Sequence, residues 1–239
     1  MLQPDRADVA ALAAARGLVL NRIAAAAHRA GRDPTAVTLV AVSKTVPADR
    51  LVAAVTAGLT TLGENRVQEA EKKVDLVSGA AWHLVGPLQS NKARRALAAF
   101  AMIESVDSFE LAERLDRLAA EVRPGARVPV LLQVNVDGDP AKAGFAPEAL
   151  AELLPRLAVF ERLDIRGLMT VGRLVERSED ARPTFVALRL LSERLRVDPA
   201  GGAVLGPDLS MGMSDDYEIA VEEGATIVRV GRALFGNRS

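Results

Sequence analysis

Val37-Thr-Leu-Val-Ala-Val42 runs directly into Ser43-Lys44-Thr45. An almost unbroken apolar run suits a strand buried on both faces, and the polar triplet marks its exit. The pattern recurs along the chain. Thr60-Thr-Leu-Gly63, Trp82-His-Leu-Val85, Ala101-Met-Ile103, Val128-Pro-Val-Leu-Leu-Gln-Val134, Ile165-Arg-Gly-Leu-Met169, a weaker run at 204–209 and Thr226-Ile-Val-Arg-Val230 bring the candidate strands to eight. Helical patterns fill the gaps. Leu111, Leu115, Leu118 and Val122 share one helix face, with Asp107 and Glu110 at capping-box spacing before it; Phe185, Leu188, Leu191 and Leu195 mark another face. Ala146-Pro147-Glu148 reads as a helix start, and Gly224 as the end of a short helix that begins near Asp216. Strands alternating with helices predict a parallel sheet with crossover connections. Residues 37–236 give about 25 residues per unit, which suits an α/β fold of the (β/α)8 TIM-barrel type. An open doubly wound sheet is the alternative. Residues 1–36 form an extra N-terminal helical extension. No linker divides residues 1–239, which read as one domain with polar or glycine-rich loops at 172–183 and 196–203.

The composition excludes several chemistries. The chain has 239 residues, 49% hydrophobic and 26% charged, a globular profile. It has no cysteine, so disulfides, thiolate catalysis and cysteine-ligated zinc or iron–sulfur clusters are out. His28 and His83 are the only histidines, which leaves no multi-histidine metal site. Thirty basic residues against 31 acidic ones leave a net charge of −1, with no pull towards nucleic acid or an anionic membrane. The apolar stretch 9–27 is interrupted by Arg16, Asn21 and Arg22, which argues against a membrane span. Asp5 and Asp8 argue against a transit peptide. The expected setting is cytoplasmic.

A barrel carries its site at the C-terminal ends of the strands. Lys44 leaves the first strand there, where desolvation would expose an amine nucleophile suited to Schiff-base chemistry. By position alone, a lysine that snorkels to water is the commoner outcome. The loops after strands seven and eight, Ser210-Met-Gly-Met-Ser-Asp-Asp216 and Gly231-Arg-Ala-Leu-Phe-Gly236, often bind phosphate in such folds. Ser210 offers a hydroxyl there, and Gly212 and Gly231 allow close backbone approach, unless they only make tight turns. Arg229 sits inside an apolar strand and needs a partner: Glu64 or Asp215 in an ion pair, or a ligand's ring nitrogen or anion. Glu64 and Asn65 either position a ligand or cap the next helix. His83 reads first as a buried, hydrogen-bonded histidine. Lys92, Arg94 and Arg95 read as a solvated helix face. Lys142, in a polar turn after strand five, could reach the mouth.

These stretches resemble the pyridoxal phosphate homeostasis protein family, the YggS/PROSC-like proteins. The resemblance rests on Ala41-Val-Ser-Lys-Thr45, Gly63-Glu-Asn65 with Val67-Gln-Glu69, Trp82-His-Leu-Val-Gly-Pro-Leu-Gln-Ser-Asn-Lys92, Arg166-Gly-Leu-Met169, Leu209-Ser-Met-Gly-Met-Ser-Asp-Asp216, and Val228-Arg-Val-Gly231 with Phe235-Gly236. They fall in the family's order across most of residues 37–236. The resemblance implies a fold like the N-terminal barrel of alanine racemase, with pyridoxal 5′-phosphate held as an internal aldimine on Lys44. It places Asn65 along the cofactor ring and His83 and Met169 near the pocket. Ser210, Gly212, Gly231 and Arg232 would be at the phosphate, and Arg229 at the pyridine nitrogen. A guanidinium there keeps the ring nitrogen unprotonated and makes the ring a poorer electron sink.

The related racemases add a second domain with a catalytic tyrosine, whereas the single tyrosine here is Tyr217. The implied role is therefore a monomeric binder that keeps free pyridoxal phosphate in balance without a reaction of its own. Pyridoxal-phosphate apo-enzymes are the implied recipients. A racemase or other pyridoxal-phosphate enzyme is the alternative, and a phosphate-binding barrel without this cofactor is a third reading. Two positions depart from the family pattern. Arg232 stands where a Thr or Ser is common, and Arg66 where an aromatic residue often follows Gly-Glu-Asn.

Overall fold

A computed structural model describes residues 3–173, 175–198, 202 and 204–236. Eight parallel strands close into a barrel in sequence order. They are β1 Thr38–Val42, β2 Thr61–Glu64, β3 Ala81–Leu84, β4 Met102–Val106, β5 Val128–Gln133, β6 Leu163–Met169, β7 Asp208–Ser210 and β8 Ile227–Val230. The helices among the described residues are α1 Arg6–Arg29, α2 Ala48–Thr56, α3 Val67–Glu71, α4 Ala93–Ala99, α5 Phe109–Val122, α6 Pro147–Leu157, α7 Arg182–Val197, α8 Tyr217–Glu222 and α9 Arg232–Phe235. The barrel expectation holds and the open sheet does not. Three strands depart from the expected bounds by more than a residue, β6 by starting two residues early at Leu163. β4 continues past Ile103 through Glu104 and Ser105, both fully buried. A charged residue inside the run had ended the apolar pattern early. β7 starts at Asp208 instead of 204, because Pro207 has no N–H to give a ladder.

Alternation divides the core in two. The larger apolar cluster fills the space between the sheet and the helices; Trp82, Leu84, Ile103, Leu111 and Leu115 belong to it. A small inner cluster of Val40, Leu131, Met169 and Ile227, with Val85, Met102 and Val171 around it, plugs the barrel itself. β1, β4, β5, β6 and β8 thus give residues to both cores, as side chains alternating across a closed sheet allow.

Four helix readings hold and one needs correction. Phe185, Leu188, Leu191 and Leu195 are buried on α7. Pro147 opens α6, and α8 runs from its cap at Asp216 to a turn at Gly224. The face of Leu111, Leu115 and Leu118 is buried on α5. Its cap, however, is Ser108, whose hydroxyl accepts the Leu111 amide at 3.3 Å, and not Asp107. Asp107 lies one residue too early to reach the first-turn amides. The loop expected at 172–183 contains a 3-10 turn, Ser178–Ala181. The one expected at 196–203 is shortened by α7, and residues 199–201 and 203 lie outside the described residues.

α1 is long and apolar enough, by length and composition, to cross a membrane, which its interrupting polar residues had argued against. In the fold it buries Leu12, Val19, Ile23, Ala26 and Ala27 against α2, α8 and α9. Just beyond it, Arg32 donates to the carbonyls of Val221 at 2.5 Å and Ala225 at 2.9 Å, fastening this end to α8 and the chain after it.

Candidate functional site

Barrel closure builds the mouth. β1 pairs with β8, Ala41 opposite Val230, so the chain leaving β1 at Lys44 meets the chain leaving β8 at Gly231. Between them is a pocket of about 170 Å³ lined by Lys44, Thr45, Arg50, Gly231, Arg232 and Phe235. The neighbour before Lys44 is anchored. Ser43 is fully buried and its hydroxyl donates to Glu64 Oε1 at 2.8 Å. Lys73 Nζ reaches the same oxygen at 2.6 Å and the Ser43 carbonyl at 3.1 Å. Glu64 therefore pairs with Lys73 and not with Arg229.

A polar layer lies above the apolar plug, because strand residues two apart point the same way. Ile227 is followed by Arg229, and Met102 by Glu104. His83 Nδ1 lies 2.7 Å from Glu104 Oε1. Ser210 Oγ donates to Glu104 Oε2 at 2.5 Å and accepts from Arg229 Nη1 at 2.6 Å. Arg229 Nη2 donates to the Thr170 carbonyl at 2.7 Å. Burial alone would raise the Glu104 carboxyl. The hydrogen bond and charge of His83, the charge of Arg229 and the Ser210 hydroxyl outweigh it and hold the group below the usual carboxylate range. Burial pushes the Arg229 guanidinium below its ordinary value, against the charges of Glu104 and Asp216. It remains the cation of this layer, since arginine does not deprotonate in proteins.

The loop after β7 makes a second set of contacts. The Ser214 hydroxyl accepts the Gly231 amide at 3.2 Å, so the β7 and β8 loops meet at these two residues. The Asp216 carboxylate accepts the Met213 amide at 2.6 Å. Gly212 has φ 87°, and a Cβ there would fall 2.5 Å from that of Ala220. Gly212 thus makes a tight turn, and its positive φ leaves the expected backbone approach to a phosphate open. Asp215 pairs with the exposed guanidinium of Arg232, not with Arg229.

The expected residues thus fall into five places, the first being the turn after β7 that holds Gly212. Lys44, Gly231 and Arg232 line the small pocket. His83, Ser210 and Arg229 belong to the interior network, and Met169 to the apolar plug. Asn65 lines a neighbouring groove of about 780 Å³ with Arg66, Lys72, Gln89 and Lys92. Arg94 and Arg95 pair on the surface with Glu121 and Glu71, which is the bland reading of that cluster. Lys142 Nζ bonds the Val171 carbonyl at 3.2 Å and so ties the β5 and β6 loops together. The sequence reading missed Glu104 and Ser214. A carboxylate inside an apolar strand was the available signal for the first. The second lay unremarked in the quoted serine-rich loop.

Fold and site define the class: a (β/α)8 barrel of the kind described as alanine racemase, N-terminal domain, whose family model matches residues 13–239. An alanine racemase of Clostridium difficile shares this fold at a TM-score of 0.68 and 14% identity, over 92% of this chain and 56% of that one. The chain belongs to the pyridoxal phosphate homeostasis protein family. The family member of Pseudomonas aeruginosa is 44% identical over 226 residues, 92% of this chain and 93% of the relative. PipY of Synechococcus elongatus, solved with PLP bound, is 41% identical with a TM-score of 0.79, over 91% of this chain and all of that one.

Proposed function

We propose that this chain binds pyridoxal phosphate through Lys44 and holds it in the cytoplasm as a monomer that keeps the free cofactor in balance, without a reaction of its own. The observation that carries this reading is the pairing of β1 with β8, which sets Lys44 beside Gly231 and Arg232 in one small pocket at the mouth. The Lys44 amine, the Ser214–Gly231 loop junction and the buried Arg229 guanidinium rise from adjoining strands, and they match an aldehyde, a phosphate and a ring nitrogen. PipY, similar to this chain over 91% of its length, was solved with that cofactor.

When bound, the cofactor supplies an aldehyde that condenses reversibly with an amine and a ring that can withdraw electrons. The protein's residues favour the first property over the second. Lys44 presents the amine at the exit of β1, with Ser43 fixed behind it. The Ser214 hydroxyl, which accepts the Gly231 amide, keeps its own proton to offer a phosphate, with Arg232 beside it. Ser210, the serine expected at the phosphate, already has its hydroxyl engaged by Glu104 and Arg229. His83 and Asn65 are assigned to the ring side. Arg229 does not release a proton at working pH, so it leaves a ring nitrogen unprotonated and the ring a poor electron sink. Tyr217 is only 2% exposed, and burial raises its hydroxyl above the ordinary value, so it is not placed as an opposing acid or base.

The test is the absorbance spectrum of the purified protein, followed by borohydride reduction and peptide mapping. We expect a yellow protein with the pyridoxyl group on Lys44, a Lys44→Ala variant that takes up none covalently, and no racemisation of L-alanine or L-serine. A protein that stays colourless and unmodified with added pyridoxal phosphate would overturn the assignment. Cofactor-dependent loss of optical rotation, abolished by Lys44→Ala, would replace the binder with an enzyme.

A further inference from the structure

A carboxylate enclosed by barrel strands is costly unless its lone pairs are used. Both oxygens of Glu104 are used, and by residues from other strands. Oε1 faces His83 Nδ1 from β3, and Oε2 accepts the Ser210 hydroxyl from β7. A hydroxyl has one proton to give. Because Ser210 gives it to the carboxylate, its lone pairs turn to Arg229 Nη1 on β8. The direction of every bond in the chain is thus set by the charge on Glu104. An ionised carboxylate can only accept, so Nδ1 of His83 must carry a proton, and Nε2 is the nitrogen left for other partners.

We propose that Glu104 is a positioning residue of the cofactor site: it fixes the proton on His83 Nδ1 and, through Ser210, the seat of the Arg229 guanidinium. The inference rests on the pyridoxal phosphate reading, which puts Arg229 at the ring nitrogen. Glu104 acts through His83 and Ser210, with both its oxygens taken up inside the protein.

The chain has only two histidines, and His28 is exposed on α1, so imidazole nitrogen-15 spectra of the ligand-free protein can be assigned with His28→Gln. His83 is expected to carry a proton on Nδ1 in the wild type, and in Glu104→Met its neutral ring is expected in the Nε2–H form favoured in water. Glu104→Met should also weaken pyridoxal phosphate binding by about tenfold or more, the scale of losing a charged hydrogen bond. Its absorbance maximum should move, while borohydride still attaches the cofactor to Lys44. Glu104→Gln, which keeps an acceptor oxygen, should restore the His83 tautomer and part of the affinity. Ser210→Ala should keep the tautomer but share the affinity loss. Wild-type His83 in the Nε2–H form would overturn the proposal. So would wild-type affinity and spectrum in Glu104→Met or, if that variant does not fold, wild-type affinity in Ser210→Ala. Failure of the cofactor reading would look different: the wild type itself would take up no pyridoxal phosphate, whatever the state of His83.

Discussion

Thr45 carries strain at the point where Lys44 leaves its strand. Among the described residues it is the one non-glycine with a left-handed backbone, φ 67°. That conformation costs a β-branched residue about 1–3 kcal/mol. It turns the chain so that the Val46 amide returns to the Ser43 carbonyl at 3.0 Å. Two buried acids nearby respond to pH with opposite signs. Glu104 titrates below its ordinary value, so its share of stability is complete above the unfolded value of about 4.3 and is lost as pH falls through the folded one. Burial raises the Asp216 carboxyl, against the Met213 amide bond and the Arg229 charge. Its ionised form therefore costs stability, and that cost disappears as pH falls through the raised value. Urea unfolding across pH separates the two. The lead of the wild type over Glu104→Gln should shrink below about pH 4. Asp216→Asn should be the more stable protein at neutral pH and lose that advantage in acid. A Glu104→Gln deficit that does not change with pH would contradict an ionised Glu104.

At the scale of elements, α5 distinguishes two neighbouring polar residues. Ser108 satisfies the Leu111 amide, whereas burial raises the Asp107 carboxyl against its local hydrogen bonds. Ser108→Ala should cost about 1 kcal/mol in urea unfolding, the usual worth of a cap. Asp107→Asn should be neutral or slightly stabilising at neutral pH. The reverse order would restore the capping box read from the sequence. β4 teaches the same lesson in a strand. Its apolar run stops at Ile103 on paper, but the strand continues because Glu104 and Ser105 find partners inside the barrel, Ser105 on the Gly86 carbonyl at 2.6 Å.

At the scale of the molecule, the closed sheet depends on a glycine in β6. The register with β5 passes from Ile165 to Gly167 and leaves Arg166 unpaired, a bulge that increases local bend and twist. A Cβ on Gly167 would fall 1.9 Å from the Asp208 carbonyl oxygen, on β7. Gly167→Ala should therefore disturb the β6–β7 junction and cost more than about 3 kcal/mol, or prevent folding, as read by circular dichroism and urea unfolding. Gly17 on α1 has open space where its Cβ would lie. Gly17→Ala should stabilise by about 0.5–1 kcal/mol, the helix propensity difference alone. Equal losses for both variants would remove close approach as the explanation.

The sequence by itself determined eight strands alternating with helices, because apolar runs bounded by turn residues are local signals that repeat eight times, while closure into a barrel instead of an open sheet was decided by the tertiary structure. The sequence also determined that Lys44 and the loops after β7 and β8 share one side, since a parallel sheet puts every strand exit at the same end. Only the tertiary structure decided the partner of each buried charge. Arg229 had Glu64 and Asp215 as candidates on paper. In the fold Glu64 takes Lys73, Asp215 takes Arg232, and Arg229 reaches Glu104 through Ser210. The same holds for the two serines of one loop, of which Ser210 turns inward to Glu104 and Ser214 to the Gly231 amide. A buried hydrogen bond is fixed by distances of a few tenths of an ångström between strands far apart in the chain, and spacing along the sequence does not encode them.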